Sequence, residues 1–114
     1  MDDCIFCKIA RGEAPAKKVY ENQWALAFHD LSPQAPAHVL VIPKVHAANW
    51  LEAAALDDET LAGVWRAVAE TAKALGVDES GFRVVSNCGP DARQDVQHVH
   101  LHVLGGRRFS ATIQ

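Results

Sequence analysis

Short segments with the composition of strands recur along the chain and are separated by turn-forming residues. Four of them are rich in β-branched or aromatic side chains: residues 18–21, 24–29, 38–42 and 82–86. The third is apolar almost throughout, which is typical of a central strand. A fifth segment, residues 97–104, alternates histidine with valine or leucine, so that its imidazoles are expected on one face of a strand.

One segment has helical spacing instead. Its apolar side chains recur every three or four positions between residues 59 and 75, at Leu61, Val64, Trp65, Val68, Ala72 and Leu75. Asp57 and Gly76 are suitable residues for its beginning and end. Shorter helices are expected at residues 4–10 and 49–55, the latter capped by Asn49. A succession of strands with one long helix inserted favours an α+β fold, with the helix on one face of the sheet.

Composition narrows the class of protein. The chain has 114 residues, 49% of them hydrophobic, which suits a single domain covering residues 1–114. A net charge of -3 without a basic block argues against nucleic acid as a partner. No apolar stretch approaches the roughly 20 residues that span a membrane, and the start does not resemble a signal peptide, so we expect a cytoplasmic protein. In a cytoplasmic protein, an odd number of cysteines favours metal binding or free thiols.

Three histidines, His98, His100 and His102, form the row in the fifth segment. Packing alone does not account for three imidazoles on one strand face. Two kinds of chemistry fit them. They could bind a catalytic zinc ion, or one neutral imidazole could attack phosphorus while its neighbours manage the proton of the leaving group. The spacing leaves both hypotheses open.

Several motifs in order along the chain resemble one family. These are HVHLHVLGGR at residues 98–107, FHDLSPQAPAH at 28–38, VIPK at 41–44, and the pairs IF and KI at 5–6 and 8–9. Together they resemble the Hint branch of the histidine triad superfamily, the histidine triad nucleotide-binding proteins. The resemblance implies an antiparallel sheet with one long and one short helix, and a homodimer.

The resemblance also implies an activity, the hydrolysis of purine nucleoside 5'-phosphoramidates. His100 matches the nucleophile, which would form a covalent nucleotidyl-histidine intermediate. His102 matches the histidine at the phosphate and leaving atom, and His98 with His38 matches a relay behind the nucleophile. Asp30 matches the carboxylate that holds the ribose hydroxyls.

The remaining expected nucleotide contacts follow from the same resemblance. Apolar walls around the base are matched by Phe6, Ile9, Phe28, His29 and Leu31. Residues near the phosphate are matched by Asn87, Gln94, Asp95 and Val96. Asp95 stands where the branch often has serine, and Arg93 replaces a common glycine. A carboxylate beside a transferring phosphate is unfavourable unless it is protonated, paired with Arg93 or turned away.

A structural zinc site is the expected metal centre, and no organic cofactor is expected. Cys4 and Cys7 alone supply only half of a tetrahedral site. Related proteins pair such a motif with two histidines, and the matching positions are His46 and His98. Cys88 has no expected role.

Other functions remain open from the sequence. The chain could be a dinucleoside polyphosphate hydrolase, although the pair Gly105 and Gly106 argues against that branch. It could be a nucleotide-binding regulatory module with weak catalysis. It could also be a zinc-dependent hydrolase in which the three histidines of the row bind the metal.

Overall fold

A computed structural model of the chain describes residues 3–112. The domain predicted for residues 1–114 includes positions 1, 2, 113 and 114, which lie outside this range. The elements, in chain order, are α1 Ile5–Ala10, β1 Lys18–Glu21, β2 Ala25–His29, β3 Ala37–Pro43, α2 Trp50–Ala53, α3 Asp58–Ala74, β4 Phe82–Val85 and β5 Leu101–Gly105. The sheet order is β1-β2-β3-β5-β4, and each neighbouring pair is antiparallel. The predicted α+β class and antiparallel sheet are confirmed.

The helices begin where side chains can accept from free backbone N–H groups. Asp57 caps α3 by accepting from the N–H of Thr60, and Asn49 caps α2 by accepting from the N–H of Leu51 and of Glu52. Beyond α3, Gly76 adopts the positive φ of +72° that ends many helices. No helix within residues 3–112 combines the length and the apolar composition needed to cross a membrane.

The two faces of the sheet carry different layers. On one face, α3 packs through Val64, Ala67 and Val68 against small and β-branched residues of β2, β3 and β5. This contact is close at Gly63, where a Cβ would lie 2.6 Å from the ring of Trp24. On the other face, α1 brings Phe6 against larger residues of β2 and β3. Because alternate residues of a strand point to opposite faces, the α1 face also receives His38 and His102.

The histidine row departs from the predicted strand. Instead of running from residue 97 to 104, β5 begins only at Leu101, so His98 and His100 precede it in an irregular segment. The ladder with β3 stops because Pro43 has no N–H to continue it. The backbone bonds of the segment go elsewhere: the N–H of Val99 donates to the carbonyl oxygen of Ala47 at 2.8 Å.

Candidate active site and metal centre

The side chain of His100 is fixed by its own backbone neighbourhood. Its Nδ1 lies 2.8 Å from the carbonyl oxygen of His98. Since a carbonyl can only accept, Nδ1 carries a proton, and the lone pair of the neutral form is on Nε2. The ring is buried, and an edge of the Phe6 ring contacts it at a centroid distance of 5.2 Å. In its neutral form, His100 therefore presents an unprotonated nitrogen at Nε2.

Two successive hydrogen bonds hold His102 in the tautomer opposite to that of His100. The N–H of Gln34 donates to Nδ1 of His38 at 3.0 Å, so His38 carries its proton on Nε2. That Nε2 lies 2.9 Å from Nδ1 of His102, which must accept. The proton of His102 is therefore on Nε2. Because burial lowers the pKa of His38 and of His102, both rings are neutral near pH 7.

The two rings form a matched pair. The centroids of His100 and His102 are 5.2 Å apart. One ring offers a lone pair and its neighbour offers an N–H, which is the arrangement needed for attack on one side and donation to a phosphate or leaving atom on the other. The predicted relay is different in the structure: His38 supports His102, not His100, and its Nε2 also lies 3.5 Å from Oδ2 of Asp30.

A cleft of about 680 Å³ reaches these histidines through Asp30 and Asp95, which lie 3.5 Å from His38 and His100, whereas His100 and His102 are not themselves in its lining. It brings together most of the predicted nucleotide contacts, namely Phe6, Ile9, Phe28, His29, Asp30, Leu31 and Asp95. Three of these aromatic and aliphatic residues, Phe6, Ile9 and Phe28, are also buried in the α1 face of the core, whereas Leu31 is 96% exposed at the rim. Lys17 lines the cleft too and was not singled out from the sequence.

Not every predicted contact lies in this cleft. Val96 lines a neighbouring cavity of about 450 Å³, and Asn87 is half-buried outside the lining of both. The amide of Gln94 is committed to the backbone. It donates to the carbonyl oxygens of Ala48 and Val96 and accepts from the N–H of Gly89. Both N–H groups of Gln94 therefore already have partners within the chain, and neither is free to donate to a phosphate.

Asp95 faces the nucleophilic nitrogen. Its Oδ1 lies 3.5 Å from Nε2 of His100, although its side chain is 79% exposed. The salt bridges within residues 3–112 do not include a pair between Arg93 and Asp95. Arg93 instead adopts a left-handed φ of +61° in the loop. Of the arrangements considered for this carboxylate, neither pairing with Arg93 nor turning away is observed.

Two further residues, Ser86 and Trp50, support the backbone of His100, and no pattern in the sequence indicated either of them. The hydroxyl of Ser86 donates to the carbonyl oxygen of His100 at 2.6 Å. The hydroxyl oxygen of Ser86 in turn accepts from Nε1 of Trp50. This link connects α2 to the backbone of the histidine row. It depends on contacts between residues far apart in the chain, which no local pattern reveals.

The predicted metal ligands meet on the other side of His98. Ligand atoms of Cys4, Cys7, His46 and His98 all lie within 4.8 Å of one another. Sγ of Cys7 is 3.3 Å from Nδ1 of His46 and 3.5 Å from Nδ1 of His98, and Sγ of Cys4 is 3.3 Å from that same nitrogen. Tetrahedral zinc with sulfur and nitrogen ligands requires separations of about 3.6 Å. The four residues fit a zinc ion.

The surroundings of this cluster also suit a metal. Nε2 of His98 lies 2.9 Å from the carbonyl oxygen of Pro43, so it donates there and leaves the lone pair of Nδ1 facing the sulfurs. Burial and the nearby Cys4 raise the pKa of the Cys7 thiol. A divalent cation removes the cost of holding two thiolates together. Because both nitrogens of His98 are engaged and the residue is fully buried, its ring does not face the cleft.

The three histidines of the row do not form one ligand set. Within residues 3–112, His98 belongs to the cysteine cluster, and His102 lies with Asp30 and His38 in a second close group. The hydrogen bonds from Gln34 to His38 and from His38 to His102 explain why the histidines of the second group lie close together. The hypothesis of a hydrolase whose zinc is bound by all three histidines is therefore not supported by this geometry.

Comparison with known proteins agrees with this arrangement. The family model for the HIT domain matches residues 11–109. The chain belongs to the HIT domain family. A 13.2 kDa HIT-like protein of Azospirillum brasilense is 50% identical over 110 residues, covering 96% of this chain and 90% of that protein. Protein HitA of Neisseria gonorrhoeae is 44% identical, covering 92% and 97%.

Solved structures of the family have the same fold. A HIT family hydrolase from Legionella pneumophila superposes with a TM-score of 0.87 at 44% identity, covering 96% of this chain and 97% of that one. A histidine triad nucleotide-binding protein from Candida albicans gives a TM-score of 0.81 at 37% identity, covering 97% and 87%. The HIT-like fold predicted from the resemblance is confirmed.

Proposed function

We propose that this HIT domain protein hydrolyses purine nucleoside 5'-phosphoramidates. The observation that carries the proposal is the pair of opposite tautomers, a free lone pair on Nε2 of His100 beside an N–H on Nε2 of His102. The names of two relatives, a hydrolase and a nucleotide-binding protein, support the class of reaction and ligand. The P–N bond as target comes from the resemblance to the Hint branch.

The reaction proceeds in two displacements at phosphorus. In the first, the lone pair on Nε2 of His100 forms an N–P bond, and the P–N bond to the amine breaks. The N–H on Nε2 of His102 donates a hydrogen bond to the leaving nitrogen, which takes its proton from solvent and leaves as a neutral amine. In the second, water attacks the nucleotidyl-His100 intermediate, breaks its N–P bond and releases one proton to solvent. The nucleoside monophosphate and the amine are then both released.

The cleft determines which end of the substrate binds where. We place the base between Phe6, Ile9 and Phe28, because these form the apolar wall. Asp30 lies at the same cleft and accepts hydrogen bonds, so it is placed to hold the ribose hydroxyls. Its Oδ1 already accepts from the N–H of Ser32 at 2.7 Å, which fixes the orientation of the carboxylate.

Zinc, when bound by Cys4, Cys7, His46 and His98, supplies a crosslink between α1 and the histidine segment and no reactive group. His98 then acts as a positioning residue. Its ring is held on both sides, and its carbonyl oxygen accepts from His100. This replaces the relay role expected for its imidazole.

We also propose that the protein is a cytoplasmic homodimer, as the resemblance implies. Sedimentation equilibrium distinguishes one chain from two.

The test of the activity is acid-quenched mass spectrometry during turnover of an AMP phosphoramidate. We expect a nucleotidyl adduct on the peptide of residues 94–107 in the wild type. His100→Ala should bind AMP, form no adduct and lose nearly all turnover. His102→Ala should lose less turnover than His100→Ala, because His102 assists the departure of the amine without forming the bond to phosphorus.

The same panel separates the alternative functions. A protein that binds AMP but converts no phosphoramidate is a binding module. Faster turnover of diadenosine polyphosphates than of any phosphoramidate identifies a dinucleoside polyphosphate hydrolase. An adduct on His102, or wild-type rates in His100→Ala, contradicts the mechanism.

A further inference from the structure

Asp95 occupies an unusual position for an acidic residue in a site that transfers a phosphoryl group. Its Oδ1 is 3.5 Å from Nε2 of His100, too long for a hydrogen bond but close for a charge. The imidazole is only 2% exposed, whereas the carboxylate is 79% exposed. Asp95 therefore lies between the buried attacking nitrogen and solvent.

The charge of this carboxylate opposes the proposed reaction with an ordinary substrate. A phosphoryl group brought to Nε2 of His100 is anionic, and Asp95 repels it at short range. Among the salt bridges described within residues 3–112, Asp95 pairs with His100, which is charged only when it is protonated, and with no lysine or arginine. The repulsion is removed if the substrate itself brings a positive charge to this place.

The cavities show where such a charge would lie. Asp95 lines both the nucleotide cleft and the neighbouring cavity of about 450 Å³. That second cavity borders the proposed metal centre, since Cys4 and His46 are in its lining, and it has a further carboxylate, Asp3, and neither lysine nor arginine. With the nucleoside in the cleft and phosphorus at His100, the adjoining space remains for the leaving group.

We propose that Asp95 is a specificity-determining residue that selects amine leaving groups carrying an additional ammonium group. The proposal rests on the proposed phosphoramidate hydrolysis and deepens it. The ammonium group of the leaving amine lies within range of the charge of Asp95 and offsets the repulsion of the phosphoryl anion. Asp95 acts through its charge and transfers no proton.

The geometry of the displacement explains why Asp95 acts through its charge and does not transfer a proton. In an in-line displacement the leaving atom lies across phosphorus from the attacking nitrogen. An oxygen beside Nε2 of His100 is therefore not placed to protonate the leaving atom or to activate the water that replaces it. A charge, unlike a hydrogen bond, still acts over the several ångströms to a flexible amine.

The experiment compares three AMP phosphoramidates whose amine chains have the same length. The chains end in an ammonium, a methyl or a carboxylate group, from 1,4-diaminobutane, pentylamine and 5-aminopentanoic acid. Turnover is measured as kcat/KM for the wild type, for Asp95→Asn, and for Asp91→Asn as control. Asp91 is an exposed residue of the same loop that lines neither cavity.

We expect the wild type to prefer the ammonium substrate over the methyl substrate by about tenfold, and the carboxylate substrate to be the slowest. Asp95→Asn should bring the three values within about twofold of one another, by slowing the first and accelerating the third. Asp91→Asn should keep the wild-type order. The preference should also shrink as salt is added.

Each other outcome contradicts the proposal in a recognisable way. If Asp95→Asn changes all three substrates by the same factor, the residue has only a structural or a generally inhibitory role. If the preference depends on added Mg²⁺ and not on the charge of the amine, the carboxylate serves a metal ion. If the wild type converts none of the substrates, the proposed function itself fails, whereas equal conversion of all three removes only the role of Asp95.

Discussion

His98 and His100 are connected through the main chain: Nδ1 of His100 donates to the carbonyl oxygen of His98, while the ring of His98 is directed into the cysteine cluster. The proposed metal centre and the proposed nucleophile therefore share one short segment of backbone. A shift of His98 that moves its carbonyl oxygen would disturb the hydrogen bond that orients His100. We therefore expect a bound zinc ion to influence catalysis without contact with substrate.

The tautomers can be observed directly. Long-range ¹H–¹⁵N NMR of the imidazoles at pH 7.5 should find the proton of His100 on Nδ1 and that of His102 on Nε2, because their partners leave no other choice. His38 should also be protonated on Nε2. Finding the same tautomer in His100 and His102 would remove the basis for their different roles.

The zinc content of the protein tests whether the cluster of Cys4, Cys7, His46 and His98 binds a metal ion. We expect one zinc ion per chain in elemental analysis of gently purified protein. Cys7→Ser should lose the metal and about 4 kcal/mol or more of the free energy of unfolding, because closed zinc sites contribute directly to folding. Cys88→Ser is the matched control, since Cys88 lies outside the cluster, and it should retain both. Unchanged zinc content in Cys7→Ser contradicts the site.

The success of the sequence prediction depended on how local each signal was. Alternation and capping at Asn49 and Asp57 are properties of neighbouring residues, and these elements appear where expected. The alternation of residues 97–104, however, cannot show that the ladder fails opposite Pro43. Strand pairing is a property of two segments, and the proline that ends it lies far from the histidines in the chain.

For the candidate site, too, the sequence did not reveal contacts between residues that are far apart in the chain. Family motifs pointed to the residues of the cleft and of the metal cluster, and the structure brings most of them together. They did not indicate what each side chain binds. Gln94 and His98 both have hydrogen-bonding groups suited to substrate, but those groups are engaged by backbone atoms or by the cysteine cluster. Ser86 and Trp50 became visible only through their contact across the fold.

Gln94 is expected to stabilise the loop and not to bind phosphate. Gln94→Leu leaves the N–H of Gly89 and the carbonyl oxygens of Ala48 and Val96 without their partner. We expect a loss of at least about 2 kcal/mol in denaturant unfolding. Gln97→Leu removes a single, partly buried hydrogen bond of 3.3 Å from an exposed residue and should cost less than about 0.5 kcal/mol. Equal losses in the two variants contradict the assignment.

Asp30 should discriminate ribose from deoxyribose. If its carboxylate accepts from the ribose hydroxyls, 2'-deoxy and 3'-deoxy AMP should bind more weakly than AMP by about 1–3 kcal/mol each. Calorimetric titration gives these differences directly. Asp30→Asn should narrow them, because an amide oxygen is a weaker acceptor than a carboxylate. The same affinity for all three nucleotides would place the ribose elsewhere.

The buried histidines should make the protein sensitive to acid. Burial lowers the pKa of His38 and of His102 below the ordinary value of 6.5, so the unfolded chain binds more protons than the folded chain as the pH falls through that value. Stability therefore rises with pH in this range. Its full contribution is present above pH 6.5 and is lost below it, by up to about 1.4 kcal/mol per pH unit for each histidine.

Denaturant unfolding between pH 5.5 and 8 measures this slope. His102→Gln removes one of the buried histidines with a lowered pKa, so below pH 6.5 its free energy of unfolding should fall with pH less steeply than that of the wild type. Cys88→Ser changes neither histidine and should keep the wild-type slope. A steeper slope in His102→Gln, or a wild-type stability that increases towards pH 5.5, would mean that the folded chain holds these imidazoles protonated. In that case the hydrogen-bond chain from Gln34 through His38 could not fix the proton on Nε2 of His102.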